Sequence, residues 1–176
     1  KNGKIDKNSM ILNDYNDYAG SARGHYFHQD LLVASLIFQA KPKRHIDIGS
    51  RIDGFVSAVA SYREIEVIDI RPLNKSVHKN IIFKKEDFMN SNLKEQTDSV
   101  SCLHAIEHFG LGRYGDNIDC DGHIKGINNL VEILSGGGIL YISFPIGSQE
   151  EVHFNEQRIF HPKSILGIKS IKEKMQ

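Results

Sequence analysis

Short apolar runs alternate with helix-like stretches along most of the chain, and this alternation limits the possible folds more than any other feature of the sequence. The apolar residues of 25–40 recur at helical spacing, and Lys41-Pro42 would end that helix. The strand-like runs are residues 45–48, 66–70, 81–84, 99–103 and 139–144, and the other helical stretches are 55–60 and 124–134, the last followed by three glycines. This order predicts an α/β fold, in which a doubly wound, mostly parallel sheet carries helices on both faces.

The size and charge of the chain exclude several classes of protein. Its 176 residues suit one domain, and we expect a polar N-terminal arm or lid at 1–23 followed by a single domain at 24–176. Lysines plus arginines equal aspartates plus glutamates, 22 of each, so the sequence predicts no broad surface for nucleic acid or an anionic membrane. No apolar run approaches about 18 residues, the length of a membrane span. Cys102 and Cys120 are too few for a disulfide framework, and a cytoplasmic location is expected.

A candidate ligand site lies at the ends of the first two strands. The first strand runs into Asp47-Ile48-Gly49-Ser50-Arg51, where Gly49 would allow a sharp turn and the close approach of a ligand. The second strand ends at Asp69, about 20 residues further on, where an acid that accepts hydrogen bonds from ribose hydroxyls is expected. Asp47 would order the turn or bind the charged end of the ligand. The segment predicts a nucleotide-cofactor site, and the alternative is a plain strand-turn-helix followed by a surface acid.

A second cluster of chemically active residues follows the fourth strand. If the chain is helical there, His104, Glu107 and His108 share one face. Imidazole and carboxylate groups on one face can move protons or bind a divalent metal, for which His153 or His161 would be a fourth ligand. The alternative interpretation places His104 beside a bound adenine and lets the other two residues begin a helix.

Candidates for substrate binding lie in a long irregular segment and in the polar stretch after the fifth strand. Long loops inside compact domains are often functional, and the loop here supplies Arg113, Tyr114, Asp116 and His123. The alternative is that this loop only leads into the following helix. Arg158 would hold an anionic group of the substrate or bridge to an acid within the fold. Near the N-terminus, a lid or a solvated face would be formed by Arg23, His25, Tyr26 and His28.

The order and spacing of these motifs resemble the class I S-adenosylmethionine-dependent methyltransferases. Asp47-Ile48-Gly49 resembles the first motif of that superfamily, and Asp69 stands where its ribose-binding acid lies. Further matches are Glu86-Asp87-Phe88, residues 98–104 and residues 134–140. The resemblance covers about residues 25–165 and implies a Rossmann-like fold with S-adenosylmethionine as cofactor. It implies cofactor contacts from Asp47, Gly49, Ser50, Arg51, Asp69, Ile70, Asp87, Phe88 and His104.

More narrowly, residues 45–51 and 102–116 resemble an uncharacterised domain-of-unknown-function family that is placed within this superfamily. One departure bears on the cofactor, because the first motif of the superfamily has glycines where this chain has Arg51 and Asp53. We expect both side chains to crowd the methionine end of the cofactor, with Arg51 pairing with its carboxylate or filling the pocket. The last antiparallel strands of the superfamily have no counterpart before Gln176, so a truncated C-terminus is expected.

Three functions are consistent with these features. The first is methyl transfer from S-adenosylmethionine to an oxygen or nitrogen of a small polar acceptor, such as a sugar or glycan precursor. His104 or His108 would be its general base, with Glu107 in the catalytic set, and no metal is expected. The second is a non-catalytic binding module, in which Arg51 and Asp53 fill the pocket. The third is a metal-dependent hydrolase built on the two histidines and the glutamate.

Overall fold

The computed structural model describes residues 11–74, 78–91, 93 and 96–175, and its central feature is a five-stranded sheet. The strands are β1 Ile46–Ile48, β2 Ile65–Asp69, β3 Ile81–Lys85, β4 Thr97–Leu103 and β5 Leu134–Ser143. Each strand runs parallel to its neighbours, in the order β3-β2-β1-β4-β5. The predicted parallel α/β sheet is confirmed, and the first four strands begin and end within two residues of their predicted bounds.

Helices cover both faces of the sheet and bury a separate apolar core on each face. They are α1 His25–Ala40, α2 Ser57–Ala60, α3 Gly122–Ile133, α4 Pro162–Gly167 and α5 Lys169–Lys174. Side chains alternate between the faces of a strand, so β1 sends Ile46 and Ile48 into the core that contains α3. β2 sends Ile65 and Val67 into the core that contains α1 and α2. The predicted two-sided arrangement is confirmed.

The entry to β5 differs from the prediction. Its glycines predict a turn before a strand that begins at Ile139, but β5 begins at Leu134, directly after α3. Thr97 pairs with Leu134 and Ser99 pairs with Ile139, so the residues between these two β5 positions bulge out of the ladder. Gly137 has a φ of +79°, which glycine adopts without steric cost. The glycines therefore form an irregularity inside the strand instead of a turn before it.

A short antiparallel hairpin, which the sequence analysis did not predict, follows β5. It consists of β6 Glu151–His153 and β7 Gln157–Ile159, with Val152 opposite Arg158. Each strand has only three residues, and all of the β6 side chains are exposed. No apolar alternation therefore marks this hairpin in the sequence.

The segment before α1 contributes little regular structure. Residues 11–23 are exposed, and their one regular element is the turn Asp14–Asn16. Residues 1–10 lie outside the described part of the chain, so the boundary between an arm at 1–23 and a domain at 24–176 stays a prediction. Among the described residues, no helix combines the length and apolarity that crossing a membrane requires.

Candidate active site

A cavity of about 670 Å³ opens at the carboxyl ends of the strands. In parallel α/β sheets ligands bind at this edge, where the strand order reverses, and here the order reverses between β1 and β4. We call one side the strand-end wall, which contains Gly49, Ser50, Arg51, Asp69, Ile70, Asp87 and Phe88. We call the other side the loop wall, which contains Tyr26, Gln29, Asp30, His104, His108, Arg113, Tyr114, Asp116, Glu156 and Gln157.

The turn after β1 brings bare backbone to the cavity. Gly49 has a φ of +78°, and its N–H donates to the carbonyl of Ile68 at 2.9 Å. A β-carbon at this position would lie 2.8 Å from the Cβ of Ala105, closer than carbon atoms tolerate. Glycine is therefore required here both by the backbone conformation and by the available space.

Asp47 holds this turn from beneath. Its side chain is fully buried, and it accepts hydrogen bonds from the N–H of Ser50 at 3.0 Å and from the hydroxyls of Ser50 and Ser101 at 2.8 and 2.5 Å. Burial raises the pKa of Asp47 to about 6, against the lowering effect of these bonds. Of the two roles predicted for Asp47, the structure shows the ordering of the turn. Asp47 does not line the cavity, so its predicted contact with the cofactor is corrected.

Arg51 and Asp53 lie at the rim of the cavity and pair with each other. Nη2 of Arg51 donates to Oδ2 of Asp53 at 2.7 Å, and Nε donates to Oδ1 at 2.9 Å. Their side chains are 78% and 71% exposed, so the pair lies mostly in solvent. The expectation that these residues fill the pocket is wrong, because the cavity beside Gly49 stays open.

Asp69 lies in the strand-end wall as predicted by its position, but its carboxylate already has a partner. Arg71 donates to it from its backbone N–H at 2.8 Å, from Nε at 3.0 Å and from Nη2 at 2.5 Å. No role for Arg71 was predicted from the sequence. Its position two residues after the acid was the signal that could have identified this ion pair.

The end of β3 supplies the remaining part of the strand-end wall. Asp87 accepts hydrogen bonds from the N–H of Met89 at 3.0 Å and from the amide of Asn90 at 2.7 Å, and so caps the turn Phe88–Asn90. The cap presents Phe88 to the cavity while that residue stays only 3% exposed. The predicted contacts of both residues with the cofactor stay predictions.

His104 and Glu107 form a hydrogen-bonded pair after β4. Nδ1 of His104 lies 3.1 Å from Oε1 of Glu107, whose side chain is buried. His104 has a φ of +48°, an uncommon conformation for a residue with a side chain. The second carboxylate oxygen of Glu107, Oε2, is buried and has no hydrogen-bond partner. Glu107 does not line the cavity, and it positions His104 from behind the wall. Its predicted place in the catalytic set stays a prediction.

His108 completes this cluster from the short helical turn Ile106–His108. Its Nδ1 donates to the carbonyl of Glu156 at 2.7 Å, and its Nε2 lies 3.8 Å from Oε1 of Glu107. Burial lowers the pKa of His108, and Glu107 acts in the opposite direction. Burial thus favours the neutral form of this imidazole.

The predicted metal ligands do not converge. Within the described ranges, no group of three or more His, Cys, Asp and Glu side chains is arranged to hold a metal ion. His153 instead lies 2.9 Å from Glu151, and His161 accepts a hydrogen bond from the N–H of Lys163 at the start of α4. The hypothesis of a metal site at His104, Glu107 and His108, and with it the hydrolase, receives no support from this geometry.

Three of the predicted substrate residues lie in the loop wall. Asp116 accepts hydrogen bonds from the backbone N–H groups of residues 110, 112 and 114, and so shapes the loop from inside. Arg113 donates to the carbonyl of Glu156 at 2.9 Å. The ring of Tyr114 contacts two guanidinium groups, that of Arg71 at 4.5 Å and that of Arg113 at 5.3 Å.

The other two predicted substrate residues, Arg158 and His123, do not line the cavity. Arg158 is buried and donates to the carbonyl of Phe109 at 2.5 Å, and its Nη2 lies 3.4 Å from the carbonyls of Asp119 and Cys120. It ties β7 to the 109–120 segment, so its predicted contact with substrate is corrected to a structural role. The ring of His123 packs 5.5 Å from that of Phe160, and its predicted contact with substrate stays a prediction.

The start of α1 contributes residues that the sequence analysis left as a lid or a solvated face. The ring of Tyr26 lies 4.9 Å from that of His104 and meets it edge to face, although more than half of Tyr26 is exposed. Asp30 reaches the cavity because Gly54 has no side chain, and a β-carbon there would lie 2.8 Å from Oδ2 of Asp30. Burial raises the pKa of Asp30. The run of histidines and aromatic residues at 25–28 was the feature of the sequence from which a contribution of α1 to the cavity could have been predicted.

The sheet order and the position of the cavity define the fold of the class I S-adenosylmethionine-dependent methyltransferases. An O-methyltransferase family protein from Burkholderia thailandensis matches with a TM-score of 0.62 and 12% identity, over 84% of this chain and 49% of that chain. An S-adenosylmethionine-dependent methyltransferase from Clostridium acetobutylicum matches with a TM-score of 0.59 and 11% identity, over 87% and 81%. The cyclase SpnF matches with a TM-score of 0.60 and 14% identity, over 89% and 61%. At these identities the likeness concerns the fold.

The family of the chain follows from its sequence. Residues 62–166, more than half of the chain, match the family described as Caenorhabditis protein of unknown function, DUF268, and the chain belongs to this family. The predicted placement in an uncharacterised family with the methyltransferase fold is confirmed. No curated protein matches the chain by sequence. The chain spans less than two thirds of the length of several structural relatives, 61% of the cyclase and 49% of the Burkholderia protein.

Proposed function

We propose that this chain binds S-adenosylmethionine and transfers its methyl group to an oxygen or nitrogen of a small polar acceptor. The observation that carries the proposal is an open cavity lined by the Gly49 turn, by Asp69 and by two histidines, of which His104 is hydrogen-bonded to the buried Glu107. Methyl transfer is an in-line displacement, so both reactants have to be aligned in one cavity with a base beside the acceptor.

The strand-end wall fits the proposed cofactor. At Gly49 the backbone carries no β-carbon, which allows close approach, and Asp69 offers a carboxylate for ribose hydroxyls. Phe88 adds an apolar ring on which a base can pack. Arg51 is held by Asp53 at the exposed rim, which leaves room for an amino-acid moiety. When bound, the cofactor would supply an electrophilic methyl group, and the chain would orient it.

His104 is the proposed general base. Its Nδ1–H donates to Glu107, which leaves the lone pair of Nε2 available to take a proton from an acceptor hydroxyl or amine. The carboxylate of Glu107 would then stabilise the imidazolium that forms, as a buried acid does in a catalytic triad. His108 is the second candidate base, because its Nδ1–H is held by a carbonyl and its Nε2 also carries the lone pair.

The proposed acceptor class is a sugar or glycan precursor. The loop wall is rich in side chains that form hydrogen bonds with hydroxyl groups, namely Gln29, Asp30, His104, His108 and Gln157. A screen of monosaccharides and their activated derivatives, with amino acids as the comparison class, would test this acceptor by the release of S-adenosylhomocysteine. Turnover with amino acids alone would contradict the sugar proposal and leave the cofactor proposal in place.

Titration calorimetry with S-adenosylhomocysteine tests the cofactor site directly. We expect the parent chain to bind and Gly49→Ala to bind at least about tenfold more weakly, because the added β-carbon meets Ala105 and shifts the turn. The matched control is Gly167→Ala, where a β-carbon would meet nothing within 4 Å. Thermal melts show whether each variant is folded. No binding heat from the folded parent at about 1 mM ligand would refute the proposal.

A further inference from the structure

Arg71 connects the two walls of the cavity. Its Nη2 donates to Asp69 and also lies 3.3 Å from the carbonyl of Gly49, both in the strand-end wall. Its guanidinium also lies 4.5 Å above the ring of Tyr114, in the loop wall. One side chain thus contacts the turn after β1, the end of β2 and the loop that follows β4.

The hydrogen-bonding capacity of Asp69 is nearly used up by Arg71. A carboxylate oxygen accepts two hydrogen bonds along its lone pairs. Oδ1 accepts from the backbone N–H of Arg71 at 2.8 Å and from Nε at 3.0 Å, while Oδ2 accepts from Nη2 at 2.5 Å with Nε at 3.2 Å. The side chain of Asp69 is also only 9% exposed. A ribose diol donates two hydrogen bonds, and Asp69 has a free position for at most one.

Tyr114 extends the connection to the proposed bases. Its ring lies 5.5 Å from that of His108 and meets it edge to face. The guanidinium of Arg113 also contacts the ring of Tyr114. Asp116 ties the backbone of this loop together through three N–H groups, so a displacement of Tyr114 carries the loop with it.

We infer that Arg71 is a positioning residue that a ribose diol displaces from Asp69, and that this displacement moves Tyr114 and so adjusts the acceptor side of the cavity. The inference rests on the proposed function, because it takes the ribose of the cofactor as the displacing group. The cofactor binds before the acceptor in this scheme, since the loop wall takes its working position only when Asp69 has exchanged Arg71 for ribose. The cation–π contact between Arg71 and Tyr114 couples the movement of the guanidinium to the position of the ring.

The absence of tryptophan from the sequence provides a clean reporter for this movement. Tyr114→Trp places a single tryptophan on Arg71 and retains the stacking, and its emission depends on the nearby guanidinium. On titration with S-adenosylhomocysteine we expect a saturable change in emission whose midpoint matches the calorimetric Kd. In the double variant Tyr114→Trp/Arg71→Gln the ligand still binds by calorimetry, but the change in emission is lost.

The control reporter is Phe38→Trp, which lies on the exposed face of α1 and does not line the cavity, and its emission is expected to stay constant. Arg71→Lys in the Tyr114→Trp background is a second, milder variant, which keeps the charge but loses the two-pronged donor. It is expected to reduce the change in emission.

Two outcomes would overturn the inference alone. One is binding to the Tyr114→Trp reporter without a change in its emission, and the other is an equal change in emission in the reporter and in both of its Arg71 variants. An absence of binding heat in the folded parent overturns this inference and the proposed function together.

Discussion

Two buried carboxylates, Asp47 and Glu107, differ in how their oxygens are hydrogen-bonded. Asp47 is 0% exposed and accepts three hydrogen bonds, from Ser50 and Ser101. Glu107 is 1% exposed, bonds His104 through Oε1 and leaves Oε2 without a partner. A buried oxygen without a hydrogen-bond partner costs free energy of folding. Its presence in a folded protein therefore indicates that the residue carrying it has a function besides stability. The two carboxylates are equally buried but have different roles, since Asp47 holds a turn and Glu107 holds the proposed base His104.

The largest expected effect tests the role of Glu107. Glu107→Gln should lower the turnover number by about 100-fold, because the neutral amide cannot stabilise an imidazolium at His104. Stability should change little, since the amide has the same size and one oxygen lacked a partner already. The measurement is the release of S-adenosylhomocysteine with an acceptor that supports turnover, alongside a thermal melt.

The matched control for this substitution is Glu132→Gln on the exposed face of α3, which should leave turnover unchanged. If Glu107→Gln lost stability but retained turnover, the two buried carboxylates would both be structural and the contrast between them would disappear.

The next effect tests the role of Asp47. Asp47→Ala should lower the free energy of unfolding by about 2 kcal/mol, because it leaves the N–H of Ser50 and two hydroxyls without their buried acceptor. Chemical denaturation measures this loss, and Asp53→Asn at the exposed rim is the control. A loss below about 1 kcal/mol would mean that the turn does not depend on the three bonds.

The third prediction concerns pH, because Asp47 shares its network with His45. His45 Nε2 lies 3.1 Å from the hydroxyl of Ser101, which donates to Asp47. Burial lowers the pKa of His45 from 6.5 to about 3, so its contribution to stability is present above pH 6.5 and is lost as the pH falls. Burial raises the pKa of Asp47 from 3.8 to about 6, so its contribution is present below pH 3.8 and is lost as the pH rises.

These two contributions oppose each other between about pH 4 and pH 6. Asp47→Asn removes one of them, and the stability of this variant should fall by roughly 1 kcal/mol more per pH unit than that of the parent as the solution is acidified over this range. Denaturation midpoints measured across the range give the slope. Parallel slopes for the two proteins would show that Asp47 has an ordinary pKa.

The smallest expected effect concerns Asp69, a third carboxylate to compare with Asp47 and Glu107. Asp69→Asn should weaken the binding of S-adenosylhomocysteine by about tenfold, a modest loss because the exchange of Arg71 for ribose replaces one set of hydrogen bonds by another. Calorimetry measures it, with Asp121→Asn as the control because Asp121 makes no side-chain cap bond. Unchanged affinity would remove Asp69 from the proposed cofactor site.

The sequence predicted the strand-end wall well because that wall depends on strand order. Gly49 follows β1 and Asp69 ends β2, and parallel strands bring their carboxyl ends to one edge, so the proximity of these residues follows from the fold class. The role of Asp47 also follows from local chemistry, since its main partner, Ser50, is only three residues away.

The loop wall was predicted less well because its contacts join residues that are distant in sequence. Tyr26 meets His104, and Glu156 meets His108, across separations that no local pattern records. The sequence left Arg158 open between substrate binding and a structural bridge, because an arginine in a polar stretch has the same local signature whether it faces a ligand or three backbone carbonyls. Only the packing of β7 distinguishes these cases.

The carbonyl contacts of Arg158 have a consequence for how this protein can diversify. They join the hairpin and the 109–120 segment into one module that covers the cavity without being part of the sheet. Insertions or exchanges within that module can reshape what lies opposite the histidines while the strands and the Gly49 turn stay unaltered. Across the family, the module is where selectivity for the acceptor should diverge, with the arginine that joins its two parts changing last.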